Sequence, residues 1–271
     1  MRQHFMNKLK TIIFQAVLVL FLIISPGILK TAGGGSSELK PPITNSLGMT
    51  FVYVPPGTFR MGSPIDERGR FEGEELHRVT LTKGFYMQTT EVTQGQWRRV
   101  MGENPSVFDQ CGEDCPVENV SWLDVQEFIE KINKIESEGR YRLPTETEWE
   151  YACRAGSKME YGFDSKKSEL AEYAWYDSNS NWHTNPVGQK KANAWGLMDM
   201  HGNVWEWCQG CYVSYPDGPV TDPPPAAVGT SRIRRGGGWR DDSRFLRSAH
   251  RGSSMPQEES RAWGFRLIIN P

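Results

Sequence analysis

The feature that most constrains the fold is a segment near the end of the chain that is bounded by two short glycine- and aromatic-containing runs. Residues 236–239 (Gly-Gly-Gly-Trp) open the segment, and residues 264–266 (Gly-Phe-Arg) close it. Glycine beside a large aromatic ring is typical of backbone that packs closely. The run between the two ends is polar and aromatic and contains no cysteine. What this terminal segment holds, and lacks, therefore guides the functional interpretation.

The composition favours an irregular or β-rich domain over a helical bundle. The 271 residues include 27 Gly, 10 Trp and 12 Phe, and 38% of the residues are hydrophobic, which is enough for a packed core. The net charge is −2, and no block of basic residues follows the N-terminal segment. Nucleic-acid-binding proteins carry a strongly basic patch, which this charge pattern does not provide, so we expect no nucleic-acid partner.

The first 45 residues carry a secretory pattern rather than a folded domain. Arg2, Lys8 and Lys10 precede an apolar run of about 13 residues, shorter than the roughly 20 that span a bilayer. We predict a signal peptide over residues 1–32, a flexible Gly/Ser linker over 33–45 and one domain over 46–271. The protein is then exported to the periplasm, the cell surface or the medium. The only membrane association predicted is an uncleaved signal anchor, which is the alternative interpretation.

Local patterns predict strands first and helices afterwards. Short β-branched and aromatic runs over residues 49–54, 58–62, 77–82 and 85–90 predict two hairpins, one for each consecutive pair. Capping residues then predict three helix starts, at Thr93, Ser121 and Thr145. Further strands are predicted at residues 202–207 and 264–269.

The five cysteines allow several interpretations. An oxidising compartment favours disulfides, and the two closely spaced pairs are Cys111 with Cys115 and Cys208 with Cys211. The same four residues could instead form a zinc site if both pairs converged. Cys153 has no evident partner and is interpreted as a buried thiol.

Six motifs in order resemble the formylglycine-generating enzymes, also called sulfatase-modifying factors. They cover most of the chain from Gly48 to Leu267 and are GMTFVYVPPGTFRMGS, TEVTQGQW, PVENVSWLDVQEF, YRLPTETEWEYACRAG, NAWGLMDMHGNVWEWC and RRGGGW with WGFRL. The resemblance implies an α+β domain with an irregular, C-type-lectin-like fold and little regular secondary structure. It also implies calcium, which several members of the family bind.

The catalytic residues of the family are missing from this sequence. Members that oxidise a sulfatase cysteine use two cysteines after the Gly-Gly motif, and these bind copper. Here the first position falls on Asp241 and the second near Leu246, and no cysteine follows Cys211. A carboxylate and an aliphatic side chain do not replace the soft sulfur pair that selects Cu(I). We therefore expect neither a copper centre nor the family's oxidase chemistry, and predict no catalytic residues.

Calcium is the cofactor that the resemblance still allows. Asn203 and Glu206 match family positions beside the calcium site, and their oxygens are the hard ligands that calcium prefers. In the alternative interpretation, Asn203 holds a tight turn and Glu206 pairs with an arginine.

The terminal segment is rich in side chains that form binding surfaces. Trp and Arg are frequent interface hot spots because they offer large area and several donors. The predicted ligand-binding residues are Trp239, Arg240, Asp241, Asp242, Arg244, Phe245, His250, Ser253 and Trp263. The alternative is that Trp239 and Trp263 belong to the core. The two flanking motifs also resemble those of retroelement-diversified variable proteins, in which a fixed scaffold displays changeable residues.

These observations favour a non-catalytic, exported module that binds a protein or cell-surface ligand through its terminal segment. Two alternatives stay open: a formylglycine-generating oxidase, and another enzyme on the same fold. The scattered histidines form no hydrolase or metalloprotease motif.

Overall fold

The predicted capping residues begin the three longest helices of the computed structural model, which describes residues 40–136, 141–163 and 167–270. The helices are α1 (Gln94–Met101), α2 (Trp122–Ile135), α3 (Glu146–Arg154) and the single turn α4 (Leu170–Tyr173). Thr93, Ser121 and Thr145 each accept a hydrogen bond from the backbone N–H three residues later and form a full capping box. The capping signature therefore located all three helix starts correctly.

The strands are short and fall into three sheets. They are β1 (Ile43–Thr44), β2 (Thr50–Val54), β3 (Gly57–Met61), β4 (His77–Leu81), β5 (Phe85–Gln88), β6 (Tyr141–Arg142), β7 (Trp205–Cys211), β8 (Val220–Thr221), β9 (Arg232–Arg235), β10 (Gly252–Ser254), β11 (Trp263–Gly264) and β12 (Ile268–Ile269). The sheet orders are β1-β2-β5-β12-β6, β10-β9-β7-β11 and β3-β4-β8. Short helices mixed with short strands confirm the irregular α+β class.

The two predicted hairpins are wrong in their pairing. β2 pairs with β5, and β3 pairs with β4, both antiparallel. The chain therefore forms one long two-stranded ribbon that bends where Pro55 and Pro56 lie opposite Thr82–Gly84. Proline lacks a backbone N–H and cannot continue the ladder, so each strand leaves one sheet and enters the next at this point.

The described residues belong to one unit, Glu38–Pro271. Most of the predicted signal and linker, residues 1–39, lies outside them. β1 pairs with β2 through Ile43↔Phe51, so regular structure begins inside the predicted 33–45 linker. Within the part of the chain that the structure covers, no helix has the length and apolar character needed to cross a membrane.

Aromatic side chains join the end of the chain to the first two helices. Trp97 of α1 stacks on Phe128 of α2 with ring centroids 5.1 Å apart, and Phe265 packs edge-on against both rings. All three residues are buried. The closing Gly-Phe-Arg motif of the terminal segment is thus a core element.

The cysteines form one disulfide in the described residues, between Cys111 and Cys115. The second predicted pair is wrong, because Cys208 and Cys211 are free buried thiols. The Cys208 Sγ contacts the Glu206 carbonyl, whereas the Cys211 Sγ contacts Gly229 and Arg232. Each sulfur atom therefore has its own contacts, and no bond joins the two. The alternative of a zinc site finds no support, since no group of three or more Cys, His, Asp or Glu side chains in the described ranges has metal-site geometry.

Candidate functional site

The opening glycines of the terminal segment are needed for its path through the interior. Gly236 and Gly237 have φ values of 95° and 74°, which favour glycine. A Cβ atom on Gly237 would lie 2.8 Å from the Leu246 side chain and 2.9 Å from the Phe245 carbonyl oxygen. The segment therefore folds back onto itself immediately after β9, and its opening motif is held in place by the residues that follow.

Trp239 lies inside the protein rather than on its surface. Its side chain is 1% exposed, and its indole N–H donates to the Arg261 carbonyl at 3.0 Å. Its backbone N–H donates to the Asn203 carbonyl, and its ring packs edge-on against Phe108. This placement agrees with the alternative in which Trp239 is core, and it prevents direct contact with a partner in this conformation.

Three exposed side chains surround the Trp239 ring and form, with half-buried Phe108, what we call the Trp182 surface. Trp182 is 66% exposed, and its ring centroid is 6.3 Å from that of Trp239. The guanidinium groups of Arg240 and Arg261 lie 6.0 Å and 5.4 Å from the same centroid. The buried indole thus supports a patch of one aromatic and two cationic side chains.

Sequence reasoning missed Trp182, Arg261 and Phe108 as parts of this patch. Trp182 lies in a loop without periodicity, and only the tertiary fold brings it against the terminal segment. Its φ value is 63°, and that of Asn181 is 58°, both in the left-handed region that bulky residues rarely occupy. The Ser180 hydroxyl holds the loop, since it accepts from the Trp182 N–H and donates to the Trp239 carbonyl. Backbone strain of this kind clusters at functional sites.

Asp241, which occupies the position of the first family cysteine, is used internally. Its carboxylate accepts hydrogen bonds from the Trp205 indole at 2.7 Å and the Gly238 N–H at 2.9 Å. Burial raises its pKa, although these two bonds oppose the shift. Leu246, near the second position, is fully buried in an apolar cluster. Neither residue offers the sulfur ligand that Cu(I) selects, so copper does not fit here.

The other predicted ligand-binding residues divide between surface and interior. Asp242 forms an exposed ion pair with Arg244 at 2.9 Å, and Arg240 is also exposed. Phe245 and His250 pack with Phe71, which lies in the loop between β3 and β4, and His250 is 6% exposed. His250 therefore belongs to the interior and cannot touch a partner directly.

Ser253 and Trp263 flank a different part of the segment, around Arg234 of β9. The Arg234 guanidinium lies 3.8 Å from the Trp263 ring centroid and donates to the Ser253 carbonyl. Burial lowers the pKa of Arg234 to about 10. Both predicted residues are half-buried, and they are joined by this stacked arginine rather than by direct contact.

The two predicted calcium ligands do not present free oxygens. Glu206 accepts three hydrogen bonds, two from Arg266 and one from the Trp149 indole, each at 2.7 Å. The Asn203 side chain exchanges hydrogen bonds with the Asn185 backbone, and its φ value of 56° is that of a tight turn. These partners are those of the alternative interpretation, in which one residue holds a turn and the other pairs with arginine. The two side chains therefore do not fit calcium in this conformation.

Two further acidic side chains, Glu91 and Asp199, are buried close enough to Glu206 to interact with its charge. Both carboxyl oxygens of Glu91, and one of Asp199, have no hydrogen-bond partner. Burial, reinforced by the charges of Asp199 and Glu206, raises the pKa of Glu91 well above its usual value. Burial therefore favours the neutral form of Glu91, while Arg266 pairs with Glu206.

The three free thiols are unreactive because they are buried. Cys153, Cys208 and Cys211 are each at most 1% exposed. Burial raises the pKa of Cys153 to about 12 and also raises that of Cys208. A thiol that is neither ionised nor accessible is a poor nucleophile and a poor metal ligand.

Comparison with known proteins agrees with this architecture. Residues 37–271 match the family model of the sulfatase-modifying factor enzyme 1-like domain. The chain belongs to this family. It is 38% identical to the chaperone protein LppX of Paenibacillus barcinonensis, over 59% of this chain and 71% of that protein. It is also 30% identical to the formylglycine-generating enzyme of Streptomyces coelicolor, over 63% of this chain and 57% of that enzyme.

Solved structures support the same family fold. Treponema denticola variable protein 1 is 28% identical, with a TM-score of 0.78 over 86% of this chain and 100% of that one. PvdO from Pseudomonas aeruginosa is 27% identical, with a TM-score of 0.77 over 86% and 99%. These matches confirm the resemblance to the sulfatase-modifying factors and to a variable protein of the same fold. Some relatives are longer, and the chain spans 43% of the Chlamydia pneumoniae kinase pkn1 that it matches.

Proposed function

We propose that this protein is an exported, non-catalytic module that binds a protein or cell-surface partner through the Trp182 surface and the adjoining terminal segment. The observation that carries the proposal is the buried Trp239 ring, which is contacted by the exposed side chains of Trp182, Arg240 and Arg261. Trp and Arg are frequent among the hot-spot residues of interfaces. Truncating one in a packed interface costs about 2 kcal/mol or more of binding free energy. The Ser180 hydroxyl ties the backbone of the Trp182 loop to the Trp239 carbonyl, and preorganisation of this kind reduces the entropy lost on binding.

The names of two similar proteins support a binding role. One relative is called a chaperone, which implies contact with another polypeptide, and one structural neighbour is called a variable protein. In a variable protein the exposed part of the terminal segment would change while its flanking motifs stay fixed. Here the motifs at residues 236–239 and 264–266 are largely buried, whereas Arg240, Arg244 and Arg261 are exposed.

The chemistry of the terminal segment supports a non-catalytic role. The carboxylate of Asp241 is bound to Trp205 and Gly238, and Leu246 is packed in the core. The free thiols elsewhere are buried. Each position where the family's oxidase chemistry would need sulfur therefore holds a residue with a structural task.

The binding role is tested by site-specific photo-crosslinking, followed by affinity measurement. A photoreactive amino acid replaces Arg240 in cells that produce the protein, and a matched control replaces Lys134 on the exposed face of α2. We expect a defined crosslinked partner from position 240 only. Trp182→Ala and Arg240→Ala should then each weaken binding of that purified partner at least tenfold, with unchanged thermal stability. Equal crosslinking at both positions, or unchanged affinity, contradicts the proposal.

Trp239→Ala is unsuitable as a test of binding, because removing a fully buried indole creates a cavity and costs about 3–5 kcal/mol of stability.

The alternative of a formylglycine-generating oxidase is favoured by the 30% identity to the Streptomyces coelicolor enzyme. Oxygen consumption by the purified protein with copper and a Cys-x-Pro-x-Arg peptide separates the two functions. We expect no turnover above a protein-free control. Copper-dependent turnover above this control would overturn the non-catalytic proposal.

A further inference from the structure

A cleft that does not include the terminal segment lies between the β3–β4 ribbon and the end of α3. Its volume is about 460 Å³, within the range of small-molecule sites. Aromatic side chains form one wall, and three cationic side chains line its edge. The aromatic residues are Phe59, Tyr151 and Trp195, and the cationic residues are Arg60, Arg78 and Lys158.

The aromatic wall is preassembled. The Tyr151 ring lies 5.0 Å from Phe59 and 4.9 Å from Trp195, measured between centroids. Tyr151 is 6% exposed, and its hydroxyl fills the space beside Gly57, where any side chain would collide with it. The buried Tyr151 ring therefore supports the half-buried Phe59 and Trp195 rings, which offer the accessible surface of the aromatic wall.

The cationic edge contains an arrangement that is unfavourable without an anion. Arg60 of β3 and Arg78 of β4 are direct cross-strand partners in the antiparallel ladder, and both are exposed. Like charges at directly opposed positions destabilise a sheet. In the described ranges no carboxylate forms an ion pair with Arg60, Arg78 or Lys158. The next cross-strand pair on the same face, Thr58 and Thr80, is by contrast joined by a hydroxyl hydrogen bond of 2.9 Å.

The acidic and basic groups deeper in the cleft are already paired. Arg154 donates to Glu150, to the Met159 carbonyl and to the Gly62 carbonyl. The Glu67 carboxylate accepts from Arg247 at 2.6 Å. The unneutralised charge of the cleft is therefore positive and concentrated at Arg60, Arg78 and Lys158.

We propose that this cleft binds a small organic oxyanion, with its flat apolar body against Phe59 and Trp195 and its carboxylate or phosphate held by the cationic side chains that line the cleft, Arg60, Arg78 and Lys158. Guanidinium groups suit this task because their planar N–H donors match both anions. This site is separate from the Trp182 surface and does not depend on the function proposed above.

The probe for this proposal is 1-anilinonaphthalene-8-sulfonate, an aromatic anion of suitable size, with N-phenyl-1-naphthylamine as the uncharged comparison. The double variant R60Q/R78Q should bind the anionic probe at least tenfold more weakly than the unchanged protein does. The matched control R98Q/R99Q removes two exposed arginines of α1, which line neither the cleft nor the Trp182 surface, and should leave the affinity within twofold. The uncharged probe should bind all three proteins equally. Unchanged affinity in R60Q/R78Q, or a loss confined to the control, overturns the proposal.

Thermal unfolding with inorganic phosphate gives an independent measurement. Ligands that bind the folded state raise the melting temperature by mass action. Phosphate should stabilise the unchanged protein more than R60Q/R78Q. Without phosphate, R60Q/R78Q should melt no lower than the unchanged protein, because the repulsion between the two arginines is removed. A variant that melts lower without phosphate and responds equally to it would show that the arginines are structural, contrary to the proposal.

Discussion

At the scale of single residues, two buried glutamates show how local partners decide the charge state of a side chain. Glu118 is fully buried, and only one of its carboxyl oxygens has a partner, the Phe108 N–H at 2.8 Å. Burial raises its pKa from 4.5 to about 7. Burial would also raise the pKa of Glu74, but interactions with His250, Arg247 and Ser63 outweigh it and lower that pKa to about 2. An ionised glutamate therefore destabilises the fold at position 118 and stabilises it at position 74.

Glu118→Gln should make the stability of the protein less dependent on pH. A carboxyl group with a raised pKa stabilises the fold fully below pH 4.5, and this contribution is lost as the pH rises from 4.5 to about 7. Glutamine avoids the loss and still accepts from the Phe108 N–H. We expect equal unfolding free energies at pH 4 and a variant more stable by about 2 kcal/mol at pH 8. Urea denaturation across this range measures the difference, and a gap that does not change with pH would contradict the assignment.

At the scale of elements, the loop between β3 and β4 is fastened to the terminal segment by buried charge. Arg247 donates two hydrogen bonds to Glu74, at 2.7 Å and 2.9 Å, and both side chains are at most 1% exposed. Phe71 of the same loop packs on Phe245 and His250. The inner side of the terminal segment is therefore used for internal packing, whereas Arg240 and Arg244 on its outer side are exposed to solvent.

Glu74→Gln should destabilise the protein far more than Asp242→Asn, although both replace the acidic partner of an arginine in the terminal segment. The first substitution leaves a buried guanidinium undercompensated and should cost about 3 kcal/mol. The second weakens an exposed pair that contributes less than about 1 kcal/mol, and asparagine keeps the capping hydrogen bond to the Arg244 N–H. Chemical denaturation at pH 7 compares them. Similar losses for both variants would show that Glu74 and Arg247 do not hold the loop.

Sequence patterns predicted elements better than they predicted pairing. The capping boxes and the helical periodicity are local, so they located α1, α2 and α3. The four strand segments between residues 49 and 90 were also found, but their partners were not, because β2 pairs with β5 across the β3–β4 excursion. A two-residue proline break looks like a turn in sequence, and only the sheet arrangement shows that it is a bend.

At the scale of the whole molecule, the end of the chain completes a sheet that begins near residue 43. β12 lies between β5 and β6 in the five-stranded sheet, with Ile268 paired to both Met87 and Arg142. Phe265 and Leu267 are also fully buried beside α1 and α2. The fold therefore closes only when its last residues are in place, which is a non-local and slow-forming arrangement.

Truncation after Leu267 should abolish the folded state, because it removes a central strand and opens two new sheet edges. Removal of Asn270 and Pro271 alone should be tolerated, since both lie beyond β12. Near-ultraviolet circular dichroism and cooperative thermal unfolding distinguish the two truncations. Cooperative unfolding of the shorter chain would show that β12 is dispensable.

Local sequence patterns were sufficient to assign the family, the α+β class and the helix starts, and the sequence shows that no cysteine follows Cys211. These assignments depend on the order of the motifs and on hydrogen bonds between residues close together in the chain. The tertiary structure decided which terminal-segment residues face solvent. It placed Trp239 and His250 inside, engaged Glu206 with Arg266, brought Trp182 beside Trp239, and set Arg60 opposite Arg78. Exposure and pairing across the chain depend on contacts between residues far apart in sequence, and no local pattern encodes them.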